Sequence, residues 1–391
     1  MKKVLYIHQY FKTPADGGAI RSYYLAKGML KRNIQVDMIT CHNNTPFKNE
    51  IIDGINVHYL PVKYSNDFSY LRRVFAFLQF VFTAIIYCRK INNSNLIYAT
   101  STPLTVGIIA LWMKWTKNIP YIFEVRDLWP EAPIQFGLIK SIILKSALKK
   151  LEKFIYRNSS SIVALSPGIK AGILHRYKNA KVHVIPNMAD IDYFQSKPIL
   201  SYNKKHFSIG YFGAFGFANN IEFILDLASQ CQKVNLPISF YLVGDGSKKE
   251  EINYRISNQG LKNVLSFKNK SKPEIREMMN EVEACLTSFL NFPILETNSP
   301  NKFYDGLAAG KLTIVNTKGW LKELVEENKC GFYIDPLKPE TFPTLIKPFL
   351  DDRNLLLNCQ QRALQLAEDK FEKNKLVDKV CDLILSVIPD N

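Results

Sequence analysis

The 391-residue sequence has no two cysteines in C-x-x-C spacing; its seven cysteines, Cys41, Cys88, Cys231, Cys285, Cys330, Cys359 and Cys381, are odd in number and scattered. That argues against zinc or iron–sulfur ligation and against a disulfide framework, and it fits a reducing compartment. Histidine is scarce as well. His8, His42, His58, His175, His183 and His206 stand far apart, and the sequence offers neither a clear catalytic triad nor a metal cage. No G-x-G-x-x-G turn is present. The GAFG turn at 213–216 follows a strand-like run, but Gln232 and Lys233 stand where an acidic residue would hold a dinucleotide ribose, about 20 residues on, so a nicotinamide enzyme is disfavoured. The one formal D-x-D, Asp190 with Asp192, reads as a turn, and no metal is expected.

Acidic residues are short in one half only. Residues 1–200 hold 27 Lys/Arg against 11 Asp/Glu, and residues 201–391 hold 24 of each, so the whole net charge of +16 lies in the N-terminal half. A basic half beside a neutral one suggests that one domain faces something anionic: nucleic acid, an anionic bilayer or a phosphorylated acceptor. No nucleic-acid recognition module accompanies the charge, so nucleic acid is not an expected partner. A chain of this length is expected to form two domains of about 100–200 residues each. Its N-terminus, MKKVLYIHQYF, is broken by His8 and Gln9 and has no cleavage region after it, so it reads as a first buried strand rather than a signal sequence.

Short apolar runs alternate with helical stretches. Strands are expected at 4–8, 35–40, 56–60, 96–99, 120–125, 161–165 and 182–186, with a helix at about 19–32, the pattern of a parallel sheet covered by helices. A polar segment at 196–206 reads as a linker. A second series opens with FSIGYFGAFG at 207–216 and continues with strands at 238–243, 263–266, 284–288, 312–315 and 331–334 and closing helices to about 387. The expected domains are 1–195 and 205–370, with 371–391 a helix packing back on the first.

Two N-terminal stretches bear on membranes. Within residues 68–90, FSYLRRVFAFLQFVFTAIIYCRK, the apolar run between Arg73 and Arg89 is 15 residues, fewer than the about 20 of a spanning helix. The stretch fits an interfacial helix, a helix buried against the sheet, or a single span. Residues 138–157 form a basic amphipathic helix with Lys140, Lys145, Lys149, Lys150, Lys153 and Arg157, which fits either a solvated or a membrane-facing surface.

Chemistry gathers at strand ends. Asp127-Leu-Trp-Pro-Glu131 follows the strand at 120–125, where α/β proteins place functional groups. Gly17-Gly18, Gly213 with Gly216, Gly244-Asp245-Gly246 and Gly310 are turns that let backbone approach a ligand. In the second half, Pro300 precedes a helical run with Asn301 and Lys302 in its first turn, and helix N-termini attract phosphate. Asp305 follows Lys302 by three and shares its face. Lysine on a diphosphate and aspartate on a ribose would grip a nucleotide sugar; the same spacing also fits a local ion pair.

Six pieces recur in a known order: HQYFKTPADGGAIRSYYLAKGML at 8–30, EVRDLWPEAP at 124–133, VIPNMAD at 184–190, YFGAFG at 211–216, FYLVGDGSKKEEI at 240–252 and PNKFYDGLAAGK at 300–311. Together they resemble the retaining nucleotide-sugar glycosyltransferases of family four, most closely bacterial N-acetyl-L-fucosamine transferases of O-antigen and capsule assembly. The resemblance implies two Rossmann-like domains facing each other across a cleft, the glycosyltransferase B fold. It implies a UDP-sugar donor carrying an N-acetylated amino or deoxyamino sugar, with no cofactor and no metal. The implied acceptor is a saccharide on an isoprenoid diphosphate, met at the anionic cytoplasmic face of the inner membrane through 68–90 and 138–157. By position, Gly17 and Gly18 would cradle the diphosphate, and Asp127 would meet the acceptor hydroxyl or the transferred sugar. Gly213 and Gly216 would open the donor site, Gly244 and Gly246 would lie near the base, Lys302 would bind diphosphate beside Asn301, and Asp305 would hold ribose. Many relatives carry two glutamates with seven residues between them; here Asp305 takes the second position and the first falls on Thr297, so Glu296, Thr297 or Asn298 would serve the sugar. Ala214 and Asn219 stand where relatives place an arginine and a lysine. Other readings are an epimerase or phosphorylase-like enzyme on the same fold, and a non-enzymatic basic protein binding nucleic acid or membrane.

Overall fold

The structure is a computed structural model that describes residues 2–16, 20–44, 46–65, 68–194 and 206–388. The chain divides into two compact units, Met1–Pro186 with Asn374–Asn391, and Asn187–Lys373. The division thus falls at Pro186, ahead of the polar segment read as a linker, of which all but His206 lies outside the described residues.

The first unit contains strands β1 (Lys3–Ile7), β2 (Gln35–His42), β3 (Lys48–Ile52), β4 (Ile55–Pro61), β5 (Leu96–Thr100), β6 (Tyr121–Val125), β7 (Ser161–Ala164) and β8 (Val182–Val184). Its helices are α1 (Arg21–Lys31), α2 (Tyr70–Cys88), α3 (Val106–Lys117), α4 (Glu131–Gln135), α5 (Ile142–Asn158) and α6 (Pro167–Arg176). The sheet order is β3-β4-β2-β1-β5-β6-β7-β8. All neighbours are parallel except β3 on β4. β1, β5 and β6 are near-continuous apolar runs because helices cover both faces of a parallel sheet. Strand β3 was not anticipated: KNEII is polar and half-exposed, and it lies at the sheet's edge. Helix α6 starts as Ser166-Pro167 suggests, with the Ser166 hydroxyl accepting from the Ile169 amide at 2.9 Å.

Helix α2 is neither wholly buried nor wholly exposed. Ala76, Phe80, Val81, Ala84 and Cys88 face the core, while Leu71, Phe75, Leu78, Phe82 and Ile86 form an exposed stripe, with Phe75 67% and Phe82 72% accessible. It is long and apolar enough to cross a membrane, and 28% of Leu71–Cys88 is buried.

The second unit contains α7 (Ile191–Phe194), β9 (Phe207–Phe212), α8 (Ile221–Lys233), β10 (Ile238–Val243), α9 (Lys249–Asn258), β11 (Val264–Phe267), α10 (Lys272–Asn280), β12 (Ala284–Thr287), α11 (Asn301–Ala308), β13 (Leu312–Val315), α12 (Trp320–Glu327), β14 (Gly331–Tyr333), α13 (Phe342–Asp351) and α14 (Arg353–Leu366). Its sheet is parallel, in the order β11-β10-β9-β12-β13-β14. Two apolar clusters sandwich it, one around Phe207, Phe215, Phe240 and Phe342, the other around Phe303, Tyr304, Leu307 and Phe371. The last helix, α15 (Lys373–Val387), joins the first unit from Asn374 on. It packs on α1 at Gly28, where a Cβ would stand 1.9 Å from Val377 Cγ1, and Arg32 pairs with Asp378 at 2.8 Å.

Each sheet reverses its winding once. In the first unit the reversal lies between β1 and β5, in the second between β9 and β12. Open parallel sheets bind ligands at the carboxyl ends of the strands flanking such a point.

Candidate active site

In the second unit the reversal point is occupied by Lys302. It enters from the first turn of α11, as its place after Pro300 suggests, and its Nζ donates to the Tyr211 hydroxyl at 2.8 Å and to Asn219 Oδ1 at 2.8 Å. The Tyr211 hydroxyl in turn donates to the Ala214 carbonyl at 2.8 Å. The ammonium lies over the rings of Tyr211 and Phe289, 4.4 and 4.9 Å from their centroids. Burial alone pushes Lys302 down to about 7; no carboxylate offsets it. In particular, no ion pair joins Lys302 to Asp305, so the local ion pair that the spacing allowed does not form. Asp305 looks elsewhere: burial pushes its carboxyl up to about 7, opposed by Lys272 and reinforced by Asp190. An ammonium buried against hydroxyl, amide and ring faces, with no anion of its own, can receive a ligand's negative charge.

The surrounding loops are fixed by polar ties. The Asn316 side chain accepts from the Phe289 amide at 2.8 Å and donates to the Phe289 carbonyl at 2.9 Å. Ser288 Oγ donates to the Asn220 carbonyl at 3.0 Å. Asn187 Nδ2 donates to the Ser299 carbonyl at 2.6 Å, one residue before Pro300. Among the glycines, Gly213 leaves room for the lysine: a Cβ there would lie 3.2 Å from Lys302 Cε and 3.3 Å from the Tyr211 hydroxyl. Gly216 is under no such pressure, its nearest neighbour being Asn219 Nδ2 at 3.4 Å. Gly244, at φ +154°, is required by packing, since a Cβ would stand 1.9 Å from the Gly213 carbonyl oxygen. Gly246 likewise abuts the Phe215 backbone, so the 244–246 turn supports the 213–216 turn. Gly310 lies at the other end of α11, before β13 rather than after a strand.

Of the three candidates for the missing acidic position, Thr297 commits its hydroxyl to the Ile294 carbonyl at 2.7 Å. Glu296 lies in a short 3-10 turn, Pro293–Thr297, against Gly319, and its charge helps to raise the Tyr333 hydroxyl's pKa. The Asp190 carboxylate is held by Lys373 at 2.6 Å and Lys272 at 3.2 Å. Among the described residues no group of three or more His, Cys, Asp or Glu stands close enough to hold a metal.

In the first unit the reversal point gathers residues from three strands. His8 follows β1, is buried, and is held unprotonated by burial first and Arg126 second. Arg126 Nη1 approaches His8 Nε2 at 3.5 Å; as the guanidinium can only donate, the ring proton sits on Nδ1, which donates to Ser22 Oγ at 2.7 Å. Asp127 follows β6. Burial raises its carboxyl's pKa, Arg126 and Thr102 lower it, and Thr102 Oγ1 donates to it at 3.4 Å. Gln9, fully buried, has both side-chain amide atoms unpartnered. Gly17 and Gly18 lie outside the described residues. Sequence patterning missed Tyr211, Phe289, Asn316 and Gln9, which it absorbed into strands or loops; Asn219 was marked only as a substituted position.

Beneath this rim runs a buried ion pair. Arg21 Nε meets Glu124 Oε2 at 3.0 Å, and the Tyr98 hydroxyl donates to the same oxygen at 2.7 Å. Arg21 also donates to the carbonyls of Pro186 at 2.5 Å and Ile185 at 3.1 Å, tying β6 and α1 to the end of the unit's main segment.

With both sites described, their relatives can be given. Residues 15–193 match the model of Glycosyltransferase Family 4 and residues 192–366 that of Glycosyl transferases group 1. The structure is similar to sucrose-phosphate synthase from Thermosynechococcus elongatus (TM-score 0.79, 16% identity, 99% of each chain covered). It is similar to Anabaena HepE in complex with UDP and glucose (TM-score 0.71, 18% identity, 99% of this chain and 100% of that one). It is also similar to WaaG, a glycosyltransferase involved in lipopolysaccharide biosynthesis (TM-score 0.67, 13% identity, 97% and 99%). No curated protein matches the chain. The chain is a glycosyltransferase with the B fold, one Rossmann-like unit matching each of the two models.

Proposed function

We propose that this enzyme transfers a sugar from a UDP donor, with retention at the anomeric carbon, onto a saccharide carried on an isoprenoid diphosphate, in surface polysaccharide synthesis. The observation that carries the donor half is Lys302: an ammonium without a carboxylate, at the reversal point of the second sheet and in the first turn of α11. The anomeric C–O bond to the diphosphate breaks, and charge grows on the leaving oxygens. Lys302 and the α11 amides, with Asn301 beside them, stabilise that charge. The acceptor hydroxyl bonds to the anomeric carbon, and its proton passes to the departing phosphate oxygen. Asp305 takes the ribose, Gly213 and Gly216 admit the donor, and Gly244 and Gly246 hold the loop near the base. Glu296 serves the sugar, since Thr297 is committed to its own turn. Asp127, with Arg126 beside it, meets the acceptor, and the motif resemblance assigns Gly17 and Gly18 to the diphosphate. HepE's UDP and glucose support a UDP-sugar donor, and WaaG's role supports a polysaccharide product. The motif resemblance supports an N-acetylated amino or deoxyamino sugar.

The acceptor's lipid implies a membrane-docked enzyme. The exposed α2 stripe, between Arg72 and Arg73 at one end and Arg89 and Lys90 at the other, suits the interface of an anionic leaflet, and we assign it to the cytoplasmic side. The test is a panel of UDP-sugars with an isoprenoid-diphosphate-linked sugar, products read by mass. Transfer from one donor, lost in Lys302→Ala, is expected. Wild-type turnover in a folded Lys302→Ala protein would refute the assignment.

A further inference from the structure

A second charged site lies away from the strand ends, among α4, α5 and α6 of the first unit. It is an open pocket of about 800 Å³ whose walls include Lys145, Lys149, Lys150, Lys153, Arg176 and Glu131. Arg176 is already neutralised. Its Nη1 reaches both oxygens of buried Glu152 at 2.6 and 2.7 Å, and its Nη2 reaches Glu131 at 2.8 Å. Lys149 shares Glu131 at 3.6 Å. Two carboxylates thus face five cations, and Lys145, Lys150 and Lys153 pair with no carboxylate among the described residues. Lysines at 145, 149 and 153 repeat every four residues, a spacing at which like charges oppose helix formation unless an anion lies between them. The fixed Arg176–Glu152–Glu131 frame supplies a rigid wall, and the free lysines supply the charge.

What kind of anion follows from the neighbouring faces of α5. Ile142 and Ile143, at the helix start, are 82% and 84% exposed, and Leu144 follows them. Along the same helix Phe154 meets Trp115 of α3 at 5.5 Å between ring centroids, both exposed. Helix α3 packs against both α2 and α5. No Phe, Tyr or Trp lines the pocket, whose one aromatic ring among the described wall residues is that of His175. A ligand matching both faces is amphipathic: a phosphate head among the lysines and acyl chains along Ile143 and Leu144.

We propose that this pocket binds the phosphate head group of an anionic membrane lipid, so that the first unit docks through a defined head-group site and not through net charge alone. This rests on the membrane-docked enzyme proposed above and adds a site apart from the residues assigned to catalysis. The test is flotation of the full-length protein with vesicles of phosphatidylcholine alone or mixed with phosphatidylglycerol. Lys145→Gln/Lys150→Gln/Lys153→Gln is compared with a variant of equal net charge, Lys27→Gln/Lys31→Gln/Lys48→Gln. The pocket variant is expected to lose vesicle partition roughly tenfold more than the charge-matched one, turnover on a water-soluble acceptor being unchanged in both. Equal losses in the two variants, with the wild type bound, overturn the pocket while leaving membrane docking intact. A wild type that binds no vesicle overturns both. Saturable binding of glycerol phosphate without vesicle binding assigns the pocket to a soluble phosphate and overturns the lipid.

Discussion

The Nζ of Lys302 lies 2.8 Å from the side-chain oxygen of Asn219, across 83 residues of sequence. The family resemblance implies a lysine at 219, and the amide found there holds Lys302 in place. In the proposed transfer, Lys302 is the cation that meets the leaving diphosphate. Lys302→Ala is expected to lower kcat/KM by about 10²–10³, the range for removing one preorganised charge-stabilising donor. Far-UV circular dichroism should be unchanged, because the lysine makes no ion pair that folding needs. Steady-state kinetics with any accepted UDP-sugar gives the answer.

The same lysine sets a pH dependence. With its ammonium pushed down to about 7 in the unliganded protein, Lys302 is largely neutral at pH 8. A diphosphate favours the charged form, so UDP binding at pH 8 takes up a proton. Affinity falls as pH rises above about 7, by at most about tenfold per unit. Titration calorimetry in two buffers of different ionisation enthalpy reads the uptake directly; equal enthalpies in both would refute it. Stability has the opposite sign. An unfolded lysine titrates near 10.4, so between about 7 and about 10.4 the unfolded chain holds a proton that the native one lacks. The unliganded protein gains stability from this group as pH rises through that window, and Lys302→Met removes the gain. Asp305, pushed up to about 7, works in the lower window: its share of stability is present below about 4 and is lost as pH rises to about 7.

Two glycines that look alike in sequence differ in consequence. A methyl group at 213 presses on Lys302 Cε at 3.2 Å, while one at 216 finds only ordinary contact. Gly213→Ala is expected to weaken UDP binding several-fold, and Gly216→Ala to leave it within about twofold of wild type. Parallel titrations of the two variants decide the matter; equal effects would show that the turn acts as one unit and that Lys302 is not the group displaced.

The exposed α2 stripe gives a prediction independent of catalysis. Phe75→Ser/Phe82→Ser removes two large apolar side chains that bury little within the protein. Vesicle flotation should fall sharply while thermal stability stays near wild type. A stability loss comparable to a core truncation would mean that the stripe is covered within the protein.

What was legible in the sequence was periodicity and punctuation. Apolar runs marked the parallel strands, Ser166-Pro167 and Pro300 marked helix starts, and the order of motifs marked the fold. Strand β3 escaped because an edge strand with one neighbour needs no continuous apolar run. The partners of Lys302 escaped for another reason. Lys302 and Asp305 share a helix face, which suggests pairing, but the lysine is drawn across the sheet's carboxyl edge to Tyr211 and Asn219, more than 80 residues away in sequence. Helical spacing says which side chains can meet within a helix; it carries no information about what the next loop brings. The mixed character of α2 was hidden likewise, because an apolar helix reads the same whichever of its faces is covered.

The buried pair Arg21–Glu124 shows this limit most sharply and offers the strongest stability test. Both side chains are essentially inaccessible. Glu124 Oε2 receives Arg21 and Tyr98, whereas its Oε1 has no partner, so the carboxylate depends on the guanidinium for most of its compensation. Removing one member leaves an isolated charge in a dry interior, which costs about 3–5 kcal/mol. Arg21→Met should therefore unfold at a clearly lower temperature, and Glu124→Gln should fall less, because the amide oxygen can still accept from Tyr98 and Arg21. The double variant Arg21→Met/Glu124→Leu removes both charges together, and well-packed apolar pairs often replace buried ion pairs at little cost. It should lie well above the sum of the single losses. Thermal unfolding of wild type, Arg21→Met, Glu124→Leu and the double closes the cycle, with Glu124→Gln read beside it. Additive losses would mean that the pair is not coupled and that Arg21 acts through the Ile185 and Pro186 carbonyls alone.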